Sequence, residues 1–476
     1  MPKDGITCVE HVVLMKPNRR GQTSVSLPMA LLLVLLICLT FAGGASRGDA
    51  LAQAVIRLCA GVLLATLILF RGEALRQVRG WPLALLAAAV ALPLLQLVPL
   101  PPSIWSQLPG RDAFLEAAMI SGTPQPWRPL ALSPDAAWNS FFSLLVPTAA
   151  LLIVGVMNEA DRARVPGLVF ALATASAMLA VFQVSGARLD NPLINEVVST
   201  ASGIFANPNH QALLLSIGIV AAAAWAADRQ HKASLRVPVA GGAAIWFLLM
   251  IMASGSRTGL ALGFLALLVA VLIVKRALGT LLARVPVRWR WGIVALGLVS
   301  IVSLAVVSFT AGRAVSLNRL LVLSTGEDMR SRAFPTVLHM IATYMPFGSG
   351  FGSFDPLFRM HEPEALLKFT YFNHAHSDYL EVALESGAIG IALVAVAIGW
   401  ALRRGISAWR TDPSGMTAPS ARFGSAALLL VALASIVDYP ARTPTIMAML
   451  AVAAMLVAQP AGVTRPGTLR RKVSRV

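Results

Sequence analysis

The segment Tyr371–Gly390 concentrates two histidines, three acids and two tyrosines in a chain that is otherwise mostly apolar. The apolar stretch Ile389–Leu402 overlaps its end, so these polar groups are expected at a membrane surface. Ionisable groups are costly in such a place and mark functional sites. The sequence therefore predicts that chemistry occurs at the membrane surface and that the rest of the chain positions this segment.

His376 precedes a predicted helix through Asp378-Tyr-Leu-Glu381, and this spacing is typical of a capping box with Asp378 at the N-cap. A helix N-terminus disfavours a protonated imidazole, so His376 is expected to accept a proton as a general base. Two alternatives remain open from these residues alone. His374, His376 and Asp378 could bind a metal ion, although alternate positions share a face only in a strand. The segment could also be a solvated polar turn.

Two further polar turns precede apolar stretches. Arg257 lies in Ser254-Gly-Ser-Arg-Thr-Gly259 and fits a phosphate or diphosphate clamp, because a guanidinium is always charged and binds bidentately. The alternative is an interfacial arginine that reaches lipid headgroups. In Asn207-Pro-Asn-His210, the polar side chains are candidates for binding a sugar or phosphate, or Asn209 caps the next helix.

A third polar segment begins with Ser331-Arg332 and continues into the glycine-rich stretch Tyr344–Phe354. Its glycines, Gly348, Gly350 and Gly352, do not have the dinucleotide-binding spacing, and no strand–helix unit surrounds them. They are expected to permit a tight turn close to the site.

The composition indicates an integral membrane protein. Of the 476 residues, 57% are hydrophobic and only 13% are charged, whereas soluble domains contain about 25% charged residues. Three cysteines are too few for a disulfide framework. The net charge of +17 raises the question of nucleic-acid binding, which the distribution of the basic residues answers below.

About twelve apolar runs are long enough, or nearly so, to cross a hydrocarbon core of about 30 Å. They predict an all-α, polytopic membrane protein, with residues 1–476 as a single integral membrane domain. A cleaved signal peptide is the alternative for the first run, but the polar segment before it is long. The runs are Met29–Gly43, Leu51–Phe70, Pro82–Leu100, Phe141–Met157, Pro166–Val184, His210–Ala226, Val237–Ala253, Leu260–Val274, Trp291–Phe309, Ala388–Leu402, Ser425–Val437 and Thr443–Gln459.

The basic residues predict the orientation, because lysine and arginine favour the cytoplasmic side of a membrane. If the N-terminus is inside, the inner loops and both termini hold most of the 39 lysines and arginines. The outer loops then hold most of the acids. Both termini are therefore predicted to be cytoplasmic, and the high net charge gives no reason to expect a nucleic-acid partner.

Two outer segments are long. Pro101–Ser140 contains three tryptophans and several prolines, which is typical of a segment along the membrane interface. Ala311–Gly387 contains the two histidines, and its apolar stretches, such as Phe334–Tyr344, predict short amphipathic helices.

These polar segments resemble the O-antigen ligase and polymerase superfamily of bacterial envelope glycosyltransferases. His376-Ser377, followed after nine residues by Gly387-Ala-Ile-Gly390, looks like the family signature. The stretch from His374 to Leu380 is similar to the family's His-x-His-Asn-Asp-Tyr-Leu pattern, with Ser377 in place of a frequent asparagine. The turns at Asn207, Arg257 and Arg332 resemble family blocks in the family's order. The resemblance covers roughly Ser202–Leu402, which is the predicted catalytic region and includes the outer loop 311–387.

The resemblance implies a metal-independent, inverting glycosyltransferase without cofactors. Such an enzyme takes a glycan from an undecaprenyl-diphosphate carrier at the periplasmic face of the bacterial inner membrane, so the large outer loop is expected to be periplasmic. His376 is then the expected catalytic base, and Arg257 with Arg332 the expected contacts of the donor diphosphate. Acceptor contacts or supporting roles are expected for Asp378, Tyr379, His374, Asn209 and His210.

Several functions share these features. The first is a ligase whose acceptor is the lipid A-core, and its close alternative is a polymerase of O-antigen or exopolysaccharide that adds to another glycan. A protein O-oligosaccharyltransferase is a third possibility. A transporter or flippase is a different class, but transporters carry ionisable groups inside their spans and internal repeats. Here the polar groups gather on one outer face, which favours the transferase.

Overall fold

The structure is a computed structural model that describes residues 25–48, 50–185, 201–228, 233–283, 329–367, 372–410 and 418–458, with isolated positions between 191 and 299. Within these ranges the chain is helical apart from turns and one pair of two-residue strands, which confirms the all-α prediction. The predicted span Trp291–Phe309 lies outside the described residues except for isolated positions, as do residues 311–328 of the outer loop.

The helices follow one another with short connections. Strands β1 (Pro99–Leu100) and β2 (Arg128–Pro129) pair antiparallel, with Pro99 opposite Pro129. Two 3₁₀ turns lie at Glu364–Leu366 and Pro440–Arg442. The α-helices are α1 Leu27–Ala42, α2 Leu51–Leu75, α3 Trp81–Gln96, α4 Pro102–Trp105, α5 Asp112–Ser121, α6 Pro134–Ser143, α7 Leu145–Gly155, α8 Glu159–Val184, α9 Pro208–Ala226, α10 Ala233–Ser254, α11 Arg257–Ala283, α12 Met329–Tyr344, α13 Phe354–His361, α14 Asp378–Arg410, α15 Ala418–Ala434 and α16 Pro444–Ala458.

Among the described residues, seven helical segments are long and apolar enough to cross a membrane: α2, α6 together with α7, α8, α9, α10, α11 and α14. Four shorter apolar helices, α1, α3, α15 and α16, coincide with four other predicted spans. The protein is therefore a multi-pass membrane protein, and the total of about twelve spans stays a prediction.

Helix α9 lies at the centre of the bundle, where it packs against α8, α10, α11 and α15. Small residues allow this packing. A Cβ atom added at Gly218 would lie 2.5 Å from Cβ of Ala173 on α8, and one at Gly259 would lie 2.3 Å from Cβ of Ala212. The second contact brings the start of α11, with Arg257, beside the start of α9.

Helix α14 is broken at Gly387, whose φ of 58° and ψ of −147° are not helical. A Cβ atom there would lie 2.1 Å from the carbonyl oxygen of Pro346, so only glycine fits. The glycine-rich stretch after α12 wraps around this break, and the amides of Ser349 and Gly350 donate to the carbonyls of Leu384 and Glu385. The prediction of a tight turn near the site is confirmed.

The outer loop has a small core of its own. Helix α12 buries Ala333, Val337, Met340 and Tyr344 on one face, as an amphipathic helix does. These residues pack with Phe354 and other side chains of α13 and with the start of α14. The prediction of short amphipathic helices in this loop is confirmed.

Candidate functional site

The start of helix α14 differs from the predicted capping box. The hydroxyl oxygen of Ser377 accepts a hydrogen bond from the amide of Leu380 at 3.5 Å, so Ser377 occupies the N-cap and Asp378 is the first helical residue. The carboxylate of Asp378 accepts instead from the hydroxyl of Ser435 at 2.7 Å and from the amide of Ala441 at 3.1 Å. The capping prediction for Asp378 is wrong because a segment distant in sequence supplies donors to its carboxylate.

That segment, Ser435–Thr443, joins α15 to α16 and is hereafter the 435–443 segment. Its Asp438 is 4% exposed and collects polar groups from three other parts of the chain. Asn209 donates to Oδ2 of Asp438 at 2.7 Å. The ring nitrogens His376 Nδ1 and His210 Nε2 lie 3.5 and 3.9 Å from Oδ1. Asp438 therefore connects two of the predicted polar turns.

Asp438 is held in its charged form. Burial raises the pKa of its carboxyl group, but contact with His376 and the nearby positive charge of Arg330 outweigh this effect and lower the pKa well below its usual range. A permanently ionised carboxylate beside His376 stabilises an imidazolium when one forms. This is the relation between a general base and the acid that orients it.

The backbone at His376 is unusual. Its φ is 50°, and it is the one non-glycine residue with a positive φ among the described residues. Histidine is among the few side chains that are enriched in this left-handed region. The turn brings the His376 ring against Phe372, with centroids 5.0 Å apart, and towards Asp438. The ring thus lies between an apolar wall and a carboxylate.

Tyr439 separates three histidines. Its ring centroid lies 4.1 Å from that of His374, 5.0 Å from His376 and 5.3 Å from His210. Burial raises the pKa of the Tyr439 phenol, and the charge of Asp438 raises it further, so the ring remains neutral. Tyr439 acts as a wall between His376 and His374 rather than as a proton acceptor.

His374 has a different set of partners. Its Nδ1 lies 2.8 Å from Oε1 of Glu381, and Nη2 of Arg442 lies 3.4 Å from the same oxygen. Arg442 also bonds Glu385 at 2.8 Å and lies 4.0 Å from Asp378. Burial lowers the pKa of Arg442, but the three carboxylates outweigh burial and raise it above its usual range.

These three acids share one face of α14, at positions i, i+3 and i+7, so one guanidinium can reach all of them. Oε1 of Glu385 also accepts from the amide of Gly352. Arg442 therefore fastens the 435–443 segment to α14 and, through Glu385, to the glycine-rich turn. The hydroxyl of Tyr379 donates to the carbonyl of Ala432 at 2.8 Å, which ties α14 to α15 as well.

The structure separates the predicted arginines. Arg257 is exposed at the start of α11. Arg332 is also exposed, and its Nη2 donates to the carbonyl oxygen of Ala365 at 2.7 Å. Its neighbour Arg330 faces the site instead, donating to the carbonyl oxygen of Val437 at 3.1 Å and lying 4.0 Å from Asp438.

The Asn-Pro-Asn-His turn is capped by Asn207, not by Asn209. Oδ1 of Asn207 accepts from the amide of Asn209 at 2.9 Å, and helix α9 begins at Pro208. The alternative in which Asn209 is the cap is therefore wrong, since its side chain is turned towards Asp438. His210 is 1% exposed and lies under Tyr439.

Two cavities lie on opposite sides of Tyr439. A small one is lined by Asn209, His210 and Asp438 together with Ser256 and Thr258, which flank Arg257. A large one, with a volume of about 1040 Å³, is lined by His374, Asp378, Tyr379, Glu381, Glu385 and Arg442 and by apolar residues of several helices. No residue lines both cavities.

The alternative metal site is not assembled from these residues. His374 pairs with Glu381, His376 faces Asp438, and the carboxylate of Asp378 is bonded to Ser435. Among the residues that the structure describes, no group of three or more His, Cys, Asp or Glu side chains has an arrangement that could hold a metal ion.

Sequence reasoning missed Asp438, Tyr439 and Arg442 as site residues. The signal that could have identified them is an acid and an arginine in a loop of a few residues between two apolar runs, where ionisable groups are costly.

Comparison with known proteins agrees with this geometry. Residues 242–395 match the protein-family model described as O-Antigen ligase. The matched range contains Arg257, Arg332 and the histidine turn, and it ends before Asp438. No curated protein matches the sequence.

Proposed function

Because residues 242–395 form an O-antigen ligase domain in a multi-pass membrane protein, we propose that it transfers a glycan from undecaprenyl diphosphate to a lipid A-core hydroxyl at the periplasmic face. The observation that carries this proposal is the contact of His376 with the ionised, buried Asp438, beside Arg330 and near the turn that bears Arg257. An imidazole paired in this way can accept the proton of a hydroxyl group.

His376 takes the proton of the acceptor hydroxyl while the hydroxyl oxygen attacks the anomeric carbon of the donor sugar. The bond between that carbon and the diphosphate oxygen breaks, and the diphosphate leaves with the electron pair. A single displacement of this kind inverts the anomeric centre. Asp438 stabilises the imidazolium that results.

The leaving diphosphate gains negative charge in the transition state, which arginines can stabilise. We assign this role to Arg257 and Arg332, and we add Arg330 because its guanidinium lies nearest to Asp438. In this proposal Asn209 and His210 hold Asp438 in place. His374, Asp378 and Tyr379 support the turn and line the side from which an acceptor can approach.

We also propose that transfer needs no metal ion, since arginines supply the positive charge at the leaving group. Purified enzyme should retain its full transfer rate after complete chelation. Loss of activity that a divalent ion restores would contradict this part of the proposal and favour a site that includes His374 and His376.

A polymerase would use the same half-reaction with another glycan as acceptor. The glycolipid profile of a deletion strain distinguishes the two functions. A ligase predicts loss of all long chains from lipid A-core, with lipid-linked polymer accumulating. Caps of a single repeat would identify a polymerase instead.

We place the protein in the bacterial inner membrane with both termini cytoplasmic and the histidine loop periplasmic, on the basis of the basic residues of its loops. A reporter that is active only in the cytoplasm should be silent when fused after Glu364. A strong cytoplasmic signal there would reverse the orientation and remove the periplasmic reaction with it.

A further inference from the structure

The large cavity extends from the polar site into the membrane part of the protein. Its lining residues on α14 run from Gly390 to Ala401, which corresponds to about 16 Å along the helix axis. Leu92 of α3 and Leu428 of α15 also line this part, so the walls are apolar. An apolar slot of this depth, open to a polar chamber, fits a lipid whose chains and headgroup have opposite polarity.

The charges of the polar chamber are unequally matched. Arg359 lies 3.0 Å from its neighbour Asp355, and Arg442 is surrounded by three acids of α14. Arg57, on α2, is different. Its Nη2 lies 3.3 Å from the neutral amide oxygen of Gln53, and its buried Nε has no hydrogen-bond partner. Within the part of the chain that the structure describes, no carboxylate pairs with Arg57.

An arginine inside a membrane span is costly unless it has a role, and it normally faces a cavity or a partner. Arg57 lies six residues inside helix α2, which is a candidate membrane span, and it lines the large cavity. A guanidinium with donors to spare beside an apolar slot matches the phosphate of a lipid, because arginine binds phosphate with two parallel hydrogen bonds.

We propose that the large cavity binds a phosphate-bearing lipid, with the phosphate at Arg57 and the hydrocarbon chains in the slot between α3, α14 and α15. This inference rests on the proposed transferase function for its context and adds a second substrate chamber to it. The chamber lies on the His374 side of Tyr439, whereas His376 and Asp438 lie on the other side. Arg57 lies outside the region that matches the O-antigen ligase family.

Binding of defined lipids to the purified full-length protein tests this inference. The probes are undecaprenyl phosphate, lipid A and phosphatidylglycerol, with undecaprenol as the lipid without phosphate, and native mass spectrometry measures the bound fraction. Arg57→Gln should weaken at least one phosphorylated probe by roughly tenfold, as expected for loss of a charge-assisted hydrogen bond, and leave undecaprenol unchanged. Arg57→Lys should give a smaller loss.

The matched control is Arg359→Gln, which removes another arginine of the same cavity that already pairs with Asp355. It should leave all four probes unchanged. Weakening of undecaprenyl phosphate alone identifies the chamber as a site for the carrier lipid, and weakening of lipid A alone identifies the acceptor. Equal weakening of all three phosphorylated lipids means that bulk phospholipid also enters.

Unchanged binding of every phosphorylated probe in both Arg57 variants would overturn the proposal, as would an equal loss of undecaprenol. These outcomes are separable from failure of the proposed function. If His376→Ala retains transfer, the catalytic proposal fails whatever Arg57 does. If His376→Ala abolishes transfer while Arg57 is neutral in binding, only the lipid chamber fails.

Discussion

The two sides of Tyr439 contain similar residues in different states. On one side, His376 lies 3.5 Å from Asp438, an ion-pair contact without a well-formed hydrogen bond, in a backbone turn that few residues adopt. On the other side, His374 lies 2.8 Å from Glu381, whose charge is already compensated by Arg442.

The difference separates a group with freedom to react from a group that holds the structure together. His376 has a carboxylate that is kept ionised and is not neutralised by a close guanidinium, since Arg330 is 4.0 Å away. His374 is one member of a compensated network that extends through Glu385 to the glycine-rich turn. Two histidines separated by one residue therefore have different roles.

The largest effect is expected at His376. Because general-base catalysis contributes roughly 10²–10⁴-fold, His376→Ala should lower the transfer rate by about that factor in a purified assay. The variant should still insert into the membrane and bind the donor. Retention of most of the activity would show that the base is another group.

The next effect is on stability rather than on rate. Arg442→Gln leaves three buried carboxylates without their cation, and breaking a buried pair costs about 3–5 kcal/mol. The melting temperature in detergent should fall sharply. Arg359→Gln is the matched control, since its exposed pair with Asp355 contributes about 1 kcal/mol or less. Equal melting of the two variants would mean that the Arg442 network is not structural.

The smallest effect on rate is expected at His374. His374→Ala removes one contact of Glu381, but Arg442 and the amide of Ala375 still bind this carboxylate. The transfer rate should fall much less than in His376→Ala, by less than about tenfold on the scale of general-base effects. A loss as large as that of His376→Ala would abolish the distinction between the two sides of Tyr439.

The sequence predicts one side of this comparison better than the other. His376, Asn209 and the turn at Arg257 follow from residue types placed before apolar runs, and the structure brings the His376 and Asn209 turns together at Asp438. Asp438 itself belongs to a short loop between two apolar helices. Its role depends on how α9, α14 and α15 pack, which local patterns do not encode.

The arginines of α12 show the same limit. Arg330 and Arg332 are two positions apart, so on a helix they point in widely different directions. The sequence pattern selects Arg332, whereas the structure turns Arg330 towards Asp438 and Arg332 towards Ala365. Only the rotation of the helix against its neighbours decides which of them faces the site.

The most direct test of the pairing between His376 and Asp438 is a double-mutant cycle on the transfer rate. Groups that act as one unit give non-additive losses, so Asp438→Asn in the His376→Ala background should cost almost nothing further. In the wild-type background, Asp438→Asn alone should lower the rate substantially, because the imidazolium loses its counter-charge. The account predicts a double variant no slower than His376→Ala alone. Losses that multiply in the double variant would contradict it and would show that the two residues act independently.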